Sequence, residues 1–300
     1  MHAAIITAFL FALTGVCATQ ASRRLGAGRA NFWRLMVALL LLSIWAYTCG
    51  SGFTSGVEVW FILAGAIGFG LGGWCMFQAL RRIGSTLSLL ILECSAAVVA
   101  TAIGWAWLGA ALSWTEILFV GMILAGIICG LSPGPIPSLA RPMVFVGAAF
   151  ALLGACFQAI SFNLSKKAFL LLEQSGGQID HLTAAYQRLL GGAAVALVLY
   201  GLGCCLKPHP FKSLPQPATN TPFPTPVWVL GNALFGPVLG VSCMLWAIRL
   251  VDNPGVVQAV AATATLLTVP LAYRLEGARP GARYYAGCLI ALVGIFLLVA

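Results

Sequence analysis

Glu93 sits in the run Leu89-Leu90-Ile91-Leu92-Glu93-Cys94-Ser95-Ala96-Ala97-Val98, and no other charged residue falls within ten positions on either side. A charged carboxylate at the centre of an apolar span costs at least roughly 2.5 kcal/mol on insertion scales. It must therefore face a wet cavity, pair with a base or hold a proton. Two chemistries follow: coupling to protons, or recognition of a substrate amine. A protonated glutamate bonding a neighbouring helix is the structural alternative.

Two arginines form the next candidate pair. Phe32-Trp33-Arg34-Leu35 and Tyr186-Gln187-Arg188-Leu189 open matching apolar spans. An arginine stays charged wherever it is placed. Each could attract an anionic group, one from either membrane face, or could snorkel to the headgroups. Further polar residues lie within spans: Gln78, Gln158, Asn163, Asn232, Gln258, Thr263 and Thr265. Together with Trp74 and Trp246 they describe a cavity of mixed aromatic and amide character. Helix-to-helix hydrogen bonds and an interfacial aromatic belt are the alternatives. Pro237 and Pro270, inside spans, mark possible bends.

Other motifs exclude more than they suggest. Gly68-Phe69-Gly70-Leu71-Gly72-Gly73 spells GxGxxG, with Glu93 twenty residues on. A dinucleotide site needs a strand before those glycines, whereas here they lie in mid-span, where GxxxG spacing serves close helix packing. His2, His181 and His209 lie at the terminus or in breaks, and neither HExxH nor GxxxxGK[ST] occurs. Zinc hydrolysis by that motif and ATP-driven transport are thereby disfavoured. The ten cysteines fall in or at the ends of apolar spans without a CxxC pair, and read as packing residues. Neither a metal nor a cofactor is expected.

The elements that must position these residues are membrane helices. Hydrophobic residues make up 61% of the chain and charged ones 8%, too few to cover a soluble core. Apolar runs predict ten spans near 2–21, 31–49, 58–80, 84–108, 115–132, 143–165, 183–205, 226–249, 254–274 and 283–300. The first lacks a basic n-region and reads as a span rather than a cleaved signal. The net charge of +9 is scattered through the breaks without a basic stripe, so nucleic acid is not an expected partner.

The chain also contains itself twice. Residues 59–81 (VWFILAGAIGFGLGGWCMFQALR) align without a gap on 227–249 (VWVLGNALFGPVLGVSCMLWAIR), with nine identities in twenty-three positions. On this alignment Glu93 matches Ala261, and Gln258 lies one helical turn away. Residues 1–132 form a first five-span repeat, 133–142 a proline-rich linker, and 143–300 a second repeat. Polar or proline-rich insertions are expected near 167–182 and 206–225. An odd number of spans per half makes the second copy inverted, the design of alternating-access transporters with a site at the repeat interface.

The repeat and the segment 254–294, PGVVQAVAATATLLTVPLAYRLEGARPGARYYAGCLIALVG, resemble the drug/metabolite transporter superfamily of EamA type. The resemblance covers nearly the whole chain. It implies an all-α membrane protein of ten helices in two inverted five-helix repeats. It departs at the turn before the tenth helix, where family members carry Glu after the glycine and this chain has Ala278 after Gly277, and Ala110 after Gly109. The role of that family glutamate does not carry over.

The function expected is secondary active transport, by alternating access with proton coupling, of a small polar or amphipathic metabolite such as an amino acid, in the export direction. The expected setting is the bilayer of the plasma (inner) membrane, with a monomer as the working unit. An intramembrane enzyme acting on lipid and a non-transporting membrane subunit are the rival classes. Orientation is contested: the resemblance implies cytoplasmic termini, while the excess of Arg and Lys in odd-numbered loops points the other way.

Overall fold

A computed structural model of the chain describes residues 1–53, 56–131, 141–205, 223–276 and 281–299. The linker residues 132–140, residues 206–222 of the second insertion and the turn at Gly277–Ala278 lie outside the described residues. Among the described residues there is no strand; nearly all are helical. The reason is physical: in hydrocarbon every backbone group must be satisfied within its own segment.

The chain forms ten helices in two repeats. The first five are α1 (His2–Leu25), α2 (Ala27–Thr48), α3 (Glu58–Leu80), α4 (Leu87–Leu108) and α5 (Trp114–Leu131). The second five are α6 (Arg141–Gln174), α7 (His181–Cys205), α8 (Thr225–Leu250), α9 (Pro254–Ala262 continued by Ala264–Glu276) and α10 (Ala282–Val299). Eight are long and apolar enough to cross a bilayer, and α5 and α10 carry shorter apolar stretches, Trp114–Gly130 and Ala282–Leu298.

Helical backbone continues from α3 into α4, yet the chain reverses between them. A Cβ on Gly154 of α6 would meet both Cys75 and Leu92. Seventeen residues along a straight helix would separate those two by about 25 Å. The break expected near 81–83 is therefore a helical turn. Gly109, at φ +69°, ends α4 in the left-handed conformation that favours glycine.

One expectation is corrected. The loop expected near 167–182 is confined to 175–180, because α6 runs on to Gln174 and α7 begins at His181. Lys166 and Lys167 drew the boundary too early. Just beyond them Ala168, Phe169 and Leu172 are buried in a core shared with α2 and α7, and that burial carries the helix past its charges.

The two largest cores cross the repeat boundary. One joins α2 and α3 to α6, α7 and α8; the other joins α1, α4 and α5 to α8, α9 and α10. Each half thus completes the other. Within the second core α5 and α10 press backbone to backbone where Gly126 meets Gly287. Large apolar side chains such as Phe145, Trp105 and Leu289 stand on the outer surface, as lipid-facing positions require.

α3 and α8 share a local distortion. The same seven alignment positions, Ala66–Gly72 and Leu234–Gly240, adopt π-helical geometry. Such segments are rare and concentrate at functional sites. In α9, Thr263 interrupts the helix with a tighter turn, its hydroxyl donating to the Val260 carbonyl.

Candidate functional site

A cavity of about 390 Å³ lies between the repeats, lined by residues of α1, α2, α3, α4, α6, α7, α8 and α9. Both π-helical segments border it through Gly68, Phe69 and Gly72 on one side and Gly236 and Pro237 on the other. Its volume falls in the range of small-molecule sites.

Five of the sequence candidates face this cavity: Glu93, Gln158, Arg34, Arg188 and Thr265. Glu93 comes from α4, and its carboxyl accepts a 2.6 Å hydrogen bond from Gln258 Nε2 on α9. Gln158 of α6 reaches the same carboxyl. The residue one turn from the repeat equivalent of Glu93 therefore contacts Glu93 itself. Helices of both halves converge on that one side chain.

Both guanidiniums open into the same cavity, Arg34 at 8% and Arg188 at 2% exposure. Arg34 Nη2 donates to Asn31 Oδ1 at 2.8 Å, and its guanidinium lies 6.0 Å from the Phe77 ring. Arg188 Nη2 donates to Ser161 Oγ at 2.7 Å, with Phe162 at 5.1 Å and Phe69 at 5.5 Å. Both side chains are buried within the helix bundle.

Glycines make the placement of Arg188 possible. A Cβ on Gly65 would overlap the backbone carbonyl of Arg188, and one on Gly191 would overlap that of Ile62. α3 and α7 thus touch backbone to backbone, and Gly68 leaves room for Ser161 beside the guanidinium. The GxxxG pairs, Gly68 with Gly72 and Gly236 with Gly240, all pack closely against neighbouring side chains.

Asp180 fixes the start of α7. Its Oδ2 accepts from the Thr183 N–H at 2.8 Å and from Trp45 Nε1 of α2 at 3.0 Å, and its Oδ1 accepts from the Thr183 hydroxyl. Burial pushes this carboxyl up, but the bonds from Thr183 and Trp45 outweigh it and hold the group below its ordinary value.

Asn163, Gln78, Trp74 and Trp246 do not line the cavity. Asn163 is fully buried and ties α6 to α4, donating to the Ala100 carbonyl at 3.1 Å. Gln78 accepts from Arg82 Nη1 at 2.8 Å. Trp74 and Trp246 are about 40% exposed on the outer surface, packed against Phe150 and His181. Eight cysteines are described as free thiols.

Sequence reasoning did not single out Phe11, Phe69, Phe77, Phe162, Thr14 or Ser161, all of which line the cavity. The phenylalanines occupy apolar runs indistinguishable from lipid-facing ones. Ser161 had one available signal, its place three residues beyond Gln158 on the same helix face.

Comparison with known proteins bears on this arrangement. The EamA-like transporter family matches residues 1–131 and 145–300. No curated protein matches the chain. Among 29 matching solved chains is one titled only "Crystal structure of protein". It is 16% identical, covers 99% of this chain and 96% of its own, and superposes with a TM-score of 0.72. At that identity the likeness shows the fold alone.

Proposed function

Because the chain belongs to the EamA-like transporter family, a family of drug and metabolite transporters, we propose that it is a secondary active transporter working by alternating access. In this reading Glu93 is the group that couples transport to protons. The cargo is a small polar or amphipathic metabolite moved outward across the plasma (inner) membrane by a monomer. The observation that carries it is the contact of Glu93, from one repeat, with Gln258 and Gln158, from the other, at the wall of a cavity between them. A group held by both repeats feels any rocking of one against the other, which is what coupling requires. Ser161, the cavity hydroxyl beside Arg188, donates to the Ala64 carbonyl at 2.5 Å and accepts from Arg188 Nη2.

The test is transport in proteoliposomes of wild type and Glu93→Gln, with a panel of amino acids, nucleosides and organic acids across about pH 5.5 to 8. The expected result is that Glu93→Gln folds and still exchanges cargo, with the pH dependence gone. Wild-type pH dependence in the variant would remove Glu93 from coupling. Transport of nothing by the wild type would remove the transporter reading.

A further inference from the structure

Arg188 is 2% exposed, and its Nε and Nη1 have no hydrogen-bond partner. Arg34, at 8%, has an unpartnered Nε. Among the described residues neither guanidinium lies within ion-pair distance of a carboxylate, and the Glu93 carboxyl is engaged by amides. Neither arginine can shed its charge. Ring faces at 5 to 6 Å attract the charge but leave N–H donors unsatisfied. Buried charges in membrane proteins are paired or face a functional cavity, and these face one without a pair.

From this geometry we infer that the cavity takes an amphipathic organic acid, its oxyanion pairing with Arg188 and its carbon skeleton lying among Phe69, Phe77 and Phe162. Arg188 is the anchor because it is the more deeply buried of the two, at 2% exposure against 8%, with both Nε and Nη1 unpartnered. Arg188 lies beside Phe69 and Arg34 beside Phe77, eight residues further along α3. Arg34 adds a second positive charge beyond the skeleton, and the pair together excludes organic cations. Phosphonates and carboxylates share the recognition chemistry, since both present oxygens to N–H donors.

The inference rests on the transporter reading, and its test separates the two. The full chain in phosphatidylcholine nanodiscs is titrated with phenylacetate, 3-phenylpropanoate, 4-phenylbutanoate, octanoate and phenylphosphonate. The primary amides of the four carboxylic acids serve as neutral controls, and acetate and inorganic phosphate as anions without a skeleton. At least one acid is expected to bind about 10- to 100-fold more tightly than its amide, the usual advantage of a charge-assisted hydrogen bond. Acetate and phosphate are expected to compete weakly. Arg188→Gln should erase the acid preference, Arg188→Lys should keep part of it, and Arg34→Gln should lower it by only a few fold.

If no acid binds more tightly than its amide, the inference falls, even where proteoliposomes still transport other cargo. If Arg188→Gln is folded and keeps the full acid preference, it falls as well. Should that variant not fold, the acid–amide comparison in the wild type decides alone. Binding of acetate or phosphate as tightly as the aryl acids would overturn the amphipathic part and reduce the site to an anion site.

Discussion

α3 and α8 occupy equivalent positions in the two repeats and share π-helical geometry at the same seven positions, yet they are packed differently. α3 carries Gly65, Gly70 and Gly73 where α8 carries Ala233, Val238 and Val241. The glycines let α3 press onto α7, with Gly65 against the Arg188 backbone and Gly70 against Val195. α8 keeps its side chains and buries them in the core shared with α2 and α7. The helices that carry the arginines differ too. Asp180 caps α7, while the corresponding Gly26 leaves α2 without a side-chain cap. The shared geometry supplies the frame of the cavity. The departures from symmetry supply its chemistry, since the tighter side holds the deeper arginine.

The sharpest way to break this comparison is to make the repeats alike. Gly65→Ala puts into α3 the side chain that α8 already has at Ala233. It should destabilise the protein by about 1–3 kcal/mol, because the new Cβ meets backbone that cannot rotate away. The reverse exchange, Ala233→Gly, should cost no more than about 1 kcal/mol through helix propensity. Thermal unfolding in detergent, followed by retention of the monodisperse peak, measures both. Equal losses would mean that the two helices are packed alike.

A smaller effect is expected where α7 begins. Asp180→Ala should cost about 1 kcal/mol at neutral pH, the worth of a lost cap. The native carboxyl is held below its ordinary value, so its stabilisation is present in full above the usual carboxylate range. It is lost as pH falls through the depressed value. The gap between wild type and variant should therefore close in acid and stay open at pH 7. A gap independent of pH would assign Asp180 a packing role instead.

Much of the frame was legible because its causes are local. Apolar length gives the spans, and nine identities in twenty-three positions expose the repeat. Glu93 stood out because a carboxyl in such a run has so few affordable surroundings. The convergence of Arg34 and Arg188 was not legible. Repeat equivalence places the two residues at the same end of their helices but is silent on how deeply a bundle folds around them. The end of α6 was misplaced for a related reason: Lys166 and Lys167 resemble a boundary until Phe169 and Leu172 are seen to be buried. Phe69 and Phe162 gave no signal, because a ring facing a guanidinium and a ring facing lipid look the same in sequence.

The central claim is that the cavity opens alternately to the two sides of the membrane. Thr14, on α1, lines the cavity and is only partly buried. With the ten native cysteines replaced by alanine or serine, Thr14→Cys supplies a single thiol at that wall. Oriented vesicles carrying this variant would be treated with a membrane-impermeant thiol reagent, from the outside in one sample and from the lumen in another. The account predicts labelling from either side, with labelling from one side suppressed in proportion as conditions favour the other. Labelling confined to one side under every condition would contradict it.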